Sequence, residues 1–258
     1  MTDKSPVYFS KTLANGLRIL NLFRLGQTEW SPKSISKEIG INVTSVYRLI
    51  NTFSQFGILI KDSQTKMVKL GPIAASMAQR ILQLNDFTQS IAPLVDEVHL
   101  KYNITINVAM YHMDNLNFIY RREAENTLTF NQPLMTDQLY CSAMGKSILA
   151  FLPPKRLDRM IQLQSLKRLT QNTITDQAQL FADLMQVARK GYAVNREEYI
   201  KGLIAIAAPI LLPHTKNVAG SVGFDSSTVE DSLEVFENKF EAMVRKLADK
   251  IAELIPKV

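Results

Sequence analysis

Between Asn42 and Asn51 the chain reads Asn-Val-Thr-Ser-Val-Tyr-Arg-Leu-Ile-Asn. Val46, Leu49, Ile50 and Phe53 recur at helical spacing, so this stretch is expected to be a helix that carries Thr44, Ser45, Tyr47, Arg48 and Asn51 on its outer side. Those side chains suit nucleic-acid reading. Cations and amides hold phosphates, and short polar groups reach base edges in the major groove. Lys33 and Lys37 before it, and Lys61, Lys66 and Lys69 after it, are placed to flank such a helix and contact phosphate.

Other chemistry is less well provided for. Gly145-Lys146-Ser147 has the end of a phosphate-binding loop, but that loop needs a glycine five residues before the Gly-Lys pair, and position 140 is tyrosine. His99, His112 and His214 are scattered and have no metal-ligand spacing with one another or with the single cysteine, Cys141. No histidine lies near Cys141 in sequence, so a packed thiol is expected there, with its sulfur free to line a pocket. Glu197 and Glu198 are adjacent, point apart on any regular element, and are expected to be solvated. No Ser-His-Asp order is evident. No catalytic residue, metal or cofactor is expected.

The elements that position the polar helix follow from punctuation. Residues 10–25 are amphipathic, with Leu13, Leu17, Leu20, Leu22 and Phe23 as the expected inward stripe and Gly26 as the stop. A second helix is expected over 32–39, capped by Ser31 and opened by Pro32, with Ile35 and Ile39 inward and Gly40 making the turn. The third runs from Val43 to Phe56 and stops at Gly57. Ile58–Lys61 and Met67–Leu70 are short strands around a polar tip at 62–66. Helix, helix, glycine turn, helix and hairpin is the winged helix-turn-helix order.

Charge agrees with this. The formal net charge is +6, and residues 1–72 hold ten Lys/Arg against four Asp/Glu, whereas 73–258 hold twenty of each. The whole excess lies in the first quarter, which points that module toward a polyanion. No run of 18 apolar residues exists, and the start, Met1 to Pro6, lacks the pattern of a secretory leader, so a cytoplasmic protein is expected.

A helical pattern over 73–84 and another over 87–101, where Pro93 suggests a break or kink, are expected to connect to a larger domain. Strands are expected at 104–110, 117–122, 127–130, 204–212 and 218–224. Helices are expected at 145–151, 176–190 and 232–254, the last with Leu233, Phe236, Phe240, Met243, Leu247 and Ile251 inward. The class is α+β, divided as 1–72 DNA-binding, 73–86 linker helix and 87–258 effector-binding and oligomerisation.

Three blocks then stand in order behind the winged helix: Cys141 to Ala150, Gly191 to Glu198, and Gly202-Leu203 through Ile206-Ala207-Ala208-Pro209-Ile210. With Leu17-Arg18-Ile19-Leu20 and Thr44 to Leu49, they make the chain resemble the IclR (isocitrate-lyase-regulator) family from about Thr12 to Ile255. The resemblance implies a GAF-like effector domain on an antiparallel sheet flanked by helices. It implies dimers, often paired into tetramers, a roughly palindromic operator, bacterial control of a catabolic operon by repression or activation, and a small carboxylic acid as effector. Its glyoxylate-binding members place the pocket on the amides of Ala143 and Met144, then on Asn195 (their Asp), Ala205 (their Cys), and Gly223 and Asp225 (their serines). The departures imply a ligand in the same place, with Asp225 or Asn195 accepting a hydroxyl or amine. An enzyme with a basic localising module, and a constitutive architectural protein, are the other classes left open.

Overall fold

In the computed structural model the chain divides into two compact units, Met1–Leu84 and Asn85–Val258. The described residues are 9–23, 27–84, 86–125, 127–128, 130, 135–136, 138–163 and 166–255.

The first unit holds α1 (Lys11–Leu20), α2 (Pro32–Ile39), α3 (Val43–Gln55), β1 (Leu59–Lys61), β2 (Val68–Leu70) and α4 (Pro72–Leu84). Ser31 and Asn42 cap α2 and α3, accepting from the Ser34 and Ser45 amides at 3.1 and 2.7 Å. Each satisfies an amide that the first helical turn leaves without a partner. Gly40 closes α2 at φ 70°, a left-handed conformation that glycine adopts without strain. Arg18 on α1 donates to the Ile39 carbonyl at 2.7 Å, which ties α1 to the same corner. The wing is wider than the hairpin read from sequence, because Trp30 exchanges both backbone hydrogen bonds with Val68.

The α1 stripe differs from the expected one. Ile19 and Phe23 are buried and Leu20 and Leu22 partly so, whereas Leu13 and Leu17 are 62% and 53% exposed. The helix also ends at Leu20, five residues short of expectation, and the expected stop at Gly26 lies outside the described residues.

The second unit begins with α5 (Asp86–Tyr102), which runs through Pro93 as one helix, without the expected break. Then come β3 (Thr105–His112), β4 (Asn115–Arg122), β5 (Met135–Thr136), a 3₁₀ turn at Leu139–Cys141, α6 (Ala143–Leu149), α7 (Pro154–Leu163), α8 (Gln177–Lys190), β6 (Ala193–Arg196), β7 (Leu203–Leu211), β8 (Val218–Ser227) and α9 (Leu233–Glu253). The six strands form one antiparallel sheet in the order β5-β4-β3-β8-β7-β6. The expected strand at 127–130 is absent at its described positions, and Met135–Thr136 takes the place beside β4. The α7 helix and β6 were not among the expected elements.

The two-residue period of a strand sorts the sheet into two cores. Ile106, Val108, Ile204, Ile206, Val222 and Phe224 face α5 and α9. Ala109, Ala205 and Ala207 face α6, α7 and α8. The second face is lined with small side chains, which lets α6 lie close to the strands.

Replacing the α2 cap, Ser31→Ala, is expected to lower the stability of the first unit by about 1 kcal/mol. Chemical denaturation followed by amide hydrogen exchange within α2 measures it. Unchanged protection there would show that the cap contributes nothing.

Candidate functional site

Asn195, Ala205 and Asp225 stand side by side. The register pairs Asn195 with Ala205 and Ala205 with Asp225, so one residue from each of three successive strands shares one row on the small-residue face of β6, β7 and β8. A narrow cavity of about 30 Å³ opens above this row. Ala143 and Met144 at the start of α6 form one wall, with Ser142 and Gln138 beside them. Phe118, Tyr199 and Leu203 supply apolar surface, and Thr136 completes the rim. Five of the seven pocket residues expected from the sequence are therefore brought together.

The other two are placed elsewhere. Cys141 is fully buried beneath the cavity, its thiol donating weakly to the Gln138 carbonyl at 3.5 Å, and burial pushes that thiol up to about 12. It is a packed residue and not a lining one. Gly223 also leaves the lining: a Cβ there would come 2.7 Å from Met144 Cγ, so its role is to make room for Met144. Ser142 and Leu203 fall inside the motif blocks, beside the positions singled out there, whereas Phe118, Thr136, Gln138 and Tyr199 lie on separate segments with no common spacing and were missed for that reason.

Hydrogen bonds give the two polar floor residues a direction. Asp225 Oδ2 accepts from Asn107 Nδ2 at 2.7 Å. Asn195 Oδ1 accepts from the Glu198 amide at 2.7 Å, which leaves the NH₂ end of Asn195 to donate. Asn195 can therefore present a donor to a ligand as well as the acceptor expected of it.

Behind the cavity the sequence misled. Glu198 is buried, not solvated: its Oε1 accepts from Lys146 Nζ at 2.7 Å, and Lys146 is wholly buried. Asp183 Oδ2 from α8 lies 2.9 Å from the same ammonium. Burial pushes the Glu198 carboxyl above its ordinary range, and Lys146 pulls the other way. Glu197 is held instead by a left-handed backbone (φ 59°) and accepts from the Gly202 amide at 2.6 Å. Ser147 and Ser221 add a buried hydroxyl pair at 2.8 Å between α6 and β8. The cavity's two sides, the α6 start and the β6–β7 connection, are thus linked by one buried ion cluster.

On the first unit, Thr44, Arg48 and Asn51 are exposed along α3, and Tyr47 is 37% exposed with Lys61 Nζ 4.9 Å from its ring centre. Ser45 is half-buried, its amide committed to the Asn42 cap. Lys33 and Lys37 are exposed on α2. Lys66 folds back onto the Ser63 carbonyl at the wing tip. Lys69 pairs with Glu29 at 3.0 Å, both about half exposed, an arrangement that is weak in water and easily exchanged for another anion. Among the described residues no group of three or more His, Cys, Asp or Glu side chains is arranged to hold a metal, and no helix is long and apolar enough to cross a membrane.

Residues 12–63 match the IclR helix-turn-helix domain, and residues 79–253 match the domain described as bacterial transcriptional regulator IclR C-terminal. The chain belongs to the IclR family. It is 27% identical over 245 residues to the HTH-type transcriptional regulator BhcR of Paracoccus denitrificans, spanning 95% of this chain and 86% of that one. A regulator structure from Alicyclobacillus acidocaldarius superposes with a TM-score of 0.83 at 23% identity, covering 96% and 100% of the two chains. An IclR homologue from Microbacterium hydrocarbonoxydans, solved with 4-hydroxybenzoate, superposes at 0.73 with 19% identity, covering 95% and 99%. The chain is a transcriptional regulator of this family, and the relatives it resembles are regulators rather than enzymes.

Lys146→Met leaves Glu198 and Asp183 without their cation and is expected to destabilise the second unit by about 3–5 kcal/mol. Lys146→Met combined with Glu198→Leu is expected to recover part of that loss. Urea titrations of both variants check it, and a single variant as stable as the parent would show that the cluster is dispensable.

Proposed function

We propose that this chain is a cytoplasmic homodimeric regulator of a catabolic operon, whose affinity for a roughly palindromic operator is set by a small hydroxylated organic acid bound in the second unit. The observation that carries the DNA half is α3. A capped helix presents Thr44, Tyr47, Arg48 and Asn51 to solvent, in a unit that holds all of the chain's net positive charge. Lys33, Lys37, Lys61 and Lys66 contact phosphate on either side. Ser45 supports the helix start, and Lys69 exchanges Glu29 for phosphate.

Dimerisation is supported by apolar side chains that the first unit leaves in water. Leu13 and Leu17, with Phe9 before them, repeat every four residues on α1, and Ile73, Met77 and Ile81 do the same on α4; all six are more than 40% exposed. Contiguous apolar stripes of this kind mark protein interfaces. With α4 as the connecting element, the division 1–72, 73–86 and 87–258 assigns DNA binding, linkage and effector binding.

The effector chemistry follows from the row on the sheet. Asp225 brings an acid into a cavity whose opposite wall is the start of α6, so a ligand there meets a carboxylate on one side and amide donors on the other. A hydroxyl or amine donates to Asp225, and the ligand's own carboxylate accepts from Asn195 and the Ala143 and Met144 amides. At about 30 Å³ the cavity is an order of magnitude below an ordinary ligand pocket, so binding selects a conformation with Met144 or Phe118 moved aside. Linkage then makes effector and operator affinities reciprocal.

Arg48→Ala is expected to weaken binding to a duplex selected from a random pool by about tenfold or more, with thermal stability unchanged. Equal affinity at matched salt would remove Arg48 from the interface. In a thermal-shift screen of small hydroxy acids, a stabilising hit is expected to bind Asp225→Ala at least about tenfold more weakly by calorimetry. A hit whose affinity is untouched by that change would place the effector elsewhere. Leu13→Glu with Leu17→Glu is expected to move the protein toward monomer in sedimentation. An unchanged mass would take α1 out of the dimer contact.

A further inference from the structure

On the other face of the sheet, away from Asn195 and Asp225, α5 and α9 leave a groove of about 380 Å³ between them. That volume lies within the range of small-ligand sites. Its floor is apolar: Leu94, Val98 and Tyr102 from α5 meet Met243 and Leu247 from α9. Tyr102 packs edge-on against Phe240, with ring centres 5.7 Å apart, so that floor is anchored in the core. Met243 is a soft, unbranched side chain that adapts to what it covers.

The rim is cationic. Lys239, Lys246 and Lys250 repeat at intervals of seven and four along α9, on one side of the helix, and Lys101 stands on α5. Among the described lining residues Glu97 is the only carboxylate, against four lysines. All four lysines are exposed, and among the described residues none of them forms an ion pair. Lys101 and Lys239 instead lie 5.2 and 5.0 Å from the ring centres of Tyr102 and Phe240. On α9, Glu237 and Glu241 accept from Tyr192, while Lys239, Lys246 and Lys250 border the groove. Helix-dipole compensation accounts for Lys101 and Lys250, each in its helix's last turn, and leaves Lys239 and Lys246 without that reason.

We propose that this groove is a second ligand site, which takes one amphipathic organic anion: a carboxylate on an unbranched hydrocarbon body. The alkyl body lies on Leu94, Val98, Met243 and Leu247, and the carboxylate is held by the lysine rim. Eleven residues of helix separate Lys239 from Lys250, a trough of about 16 Å, which suits an extended chain better than a compact acid. A second copy of this chain is a poorer occupant. A two-fold contact brings two patches of net positive charge together, which disfavours it.

Calorimetry with the full-length protein, decanoate below its micelle concentration, and decanol as the neutral counterpart tests the site. The expected result is one equivalent of decanoate per chain, with at least tenfold weaker binding of decanol. Lys246→Glu with Lys250→Glu is expected to weaken decanoate at least tenfold, and Lys101→Gln with Lys239→Gln to weaken it in the same direction. Asp225→Ala is expected to leave it unchanged. Absence of saturable heat, equal binding of decanol, or loss in Asp225→Ala with none in either lysine pair would overturn the proposal. So would a lower sedimentation mass in Lys246→Glu with Lys250→Glu, because that would make the groove a contact between copies.

Discussion

An ammonium with no access to water must be matched where it lies. Lys146 meets that condition through Glu198 and Asp183, and three elements are fixed relative to one another as a result: α6, α8 and the connection after β6. Such a cluster contributes little net stability compared with a well-packed apolar substitute, because desolvation offsets most of the attraction. What it does supply is position. Glu198 turns its amide toward Asn195, Lys146 lies three residues beyond Ala143, and the two sides of the cavity are held at a set separation. Small side chains on the sheet then decide how near α6 can lie, with Gly223 leaving the space that Met144 fills.

The two units differ in how much of them could be read from sequence. Their local devices were plain. Ser31, Pro32, Gly40 and Asn42 each act within a few residues of their position, and α2 and α3 begin where those residues say. Long-range devices were not. Glu198 looked like half of a solvated pair because its partner, Lys146, is 52 residues away, and the second acid on that ammonium, Asp183, comes from α8. The 127–130 segment has the composition of a strand, yet pairing with β4 went to two residues nearer the 3₁₀ turn. On α1 the apolar leucines outnumber the places in the unit's core. Spacing alone identified an amphipathic helix and could not tell which of two apolar stripes faces inward, and Leu13 and Leu17 were assigned to the wrong one.

The site itself was half legible. Asn195, Ala205 and Asp225 came from motif resemblance and fall in one row because β6, β7 and β8 are neighbours in register. Cys141, inside a motif block, and Gly223, an aligned position outside the blocks, serve packing instead. The aromatic and polar rim, from Phe118 to Tyr199, belongs to loops and strand ends whose convergence is a property of the sheet order and leaves no trace in spacing. Asp225 is the departure with most chemical weight, since it changes what a ligand must present on that side.

Trp30 is the chain's single tryptophan, and it sits in the first unit with its indole donating to the Leu22 carbonyl at 3.1 Å and its backbone paired with Val68. Its ring is nearly buried. The protein therefore carries a built-in optical reporter on one module only. Indole emission follows melting of the wing and its helices, while the sheet unit, which has no tryptophan, stays dark in that channel and must be followed by its tyrosines or by circular dichroism. Whether the two modules unfold together or in sequence can be read from one unlabelled sample.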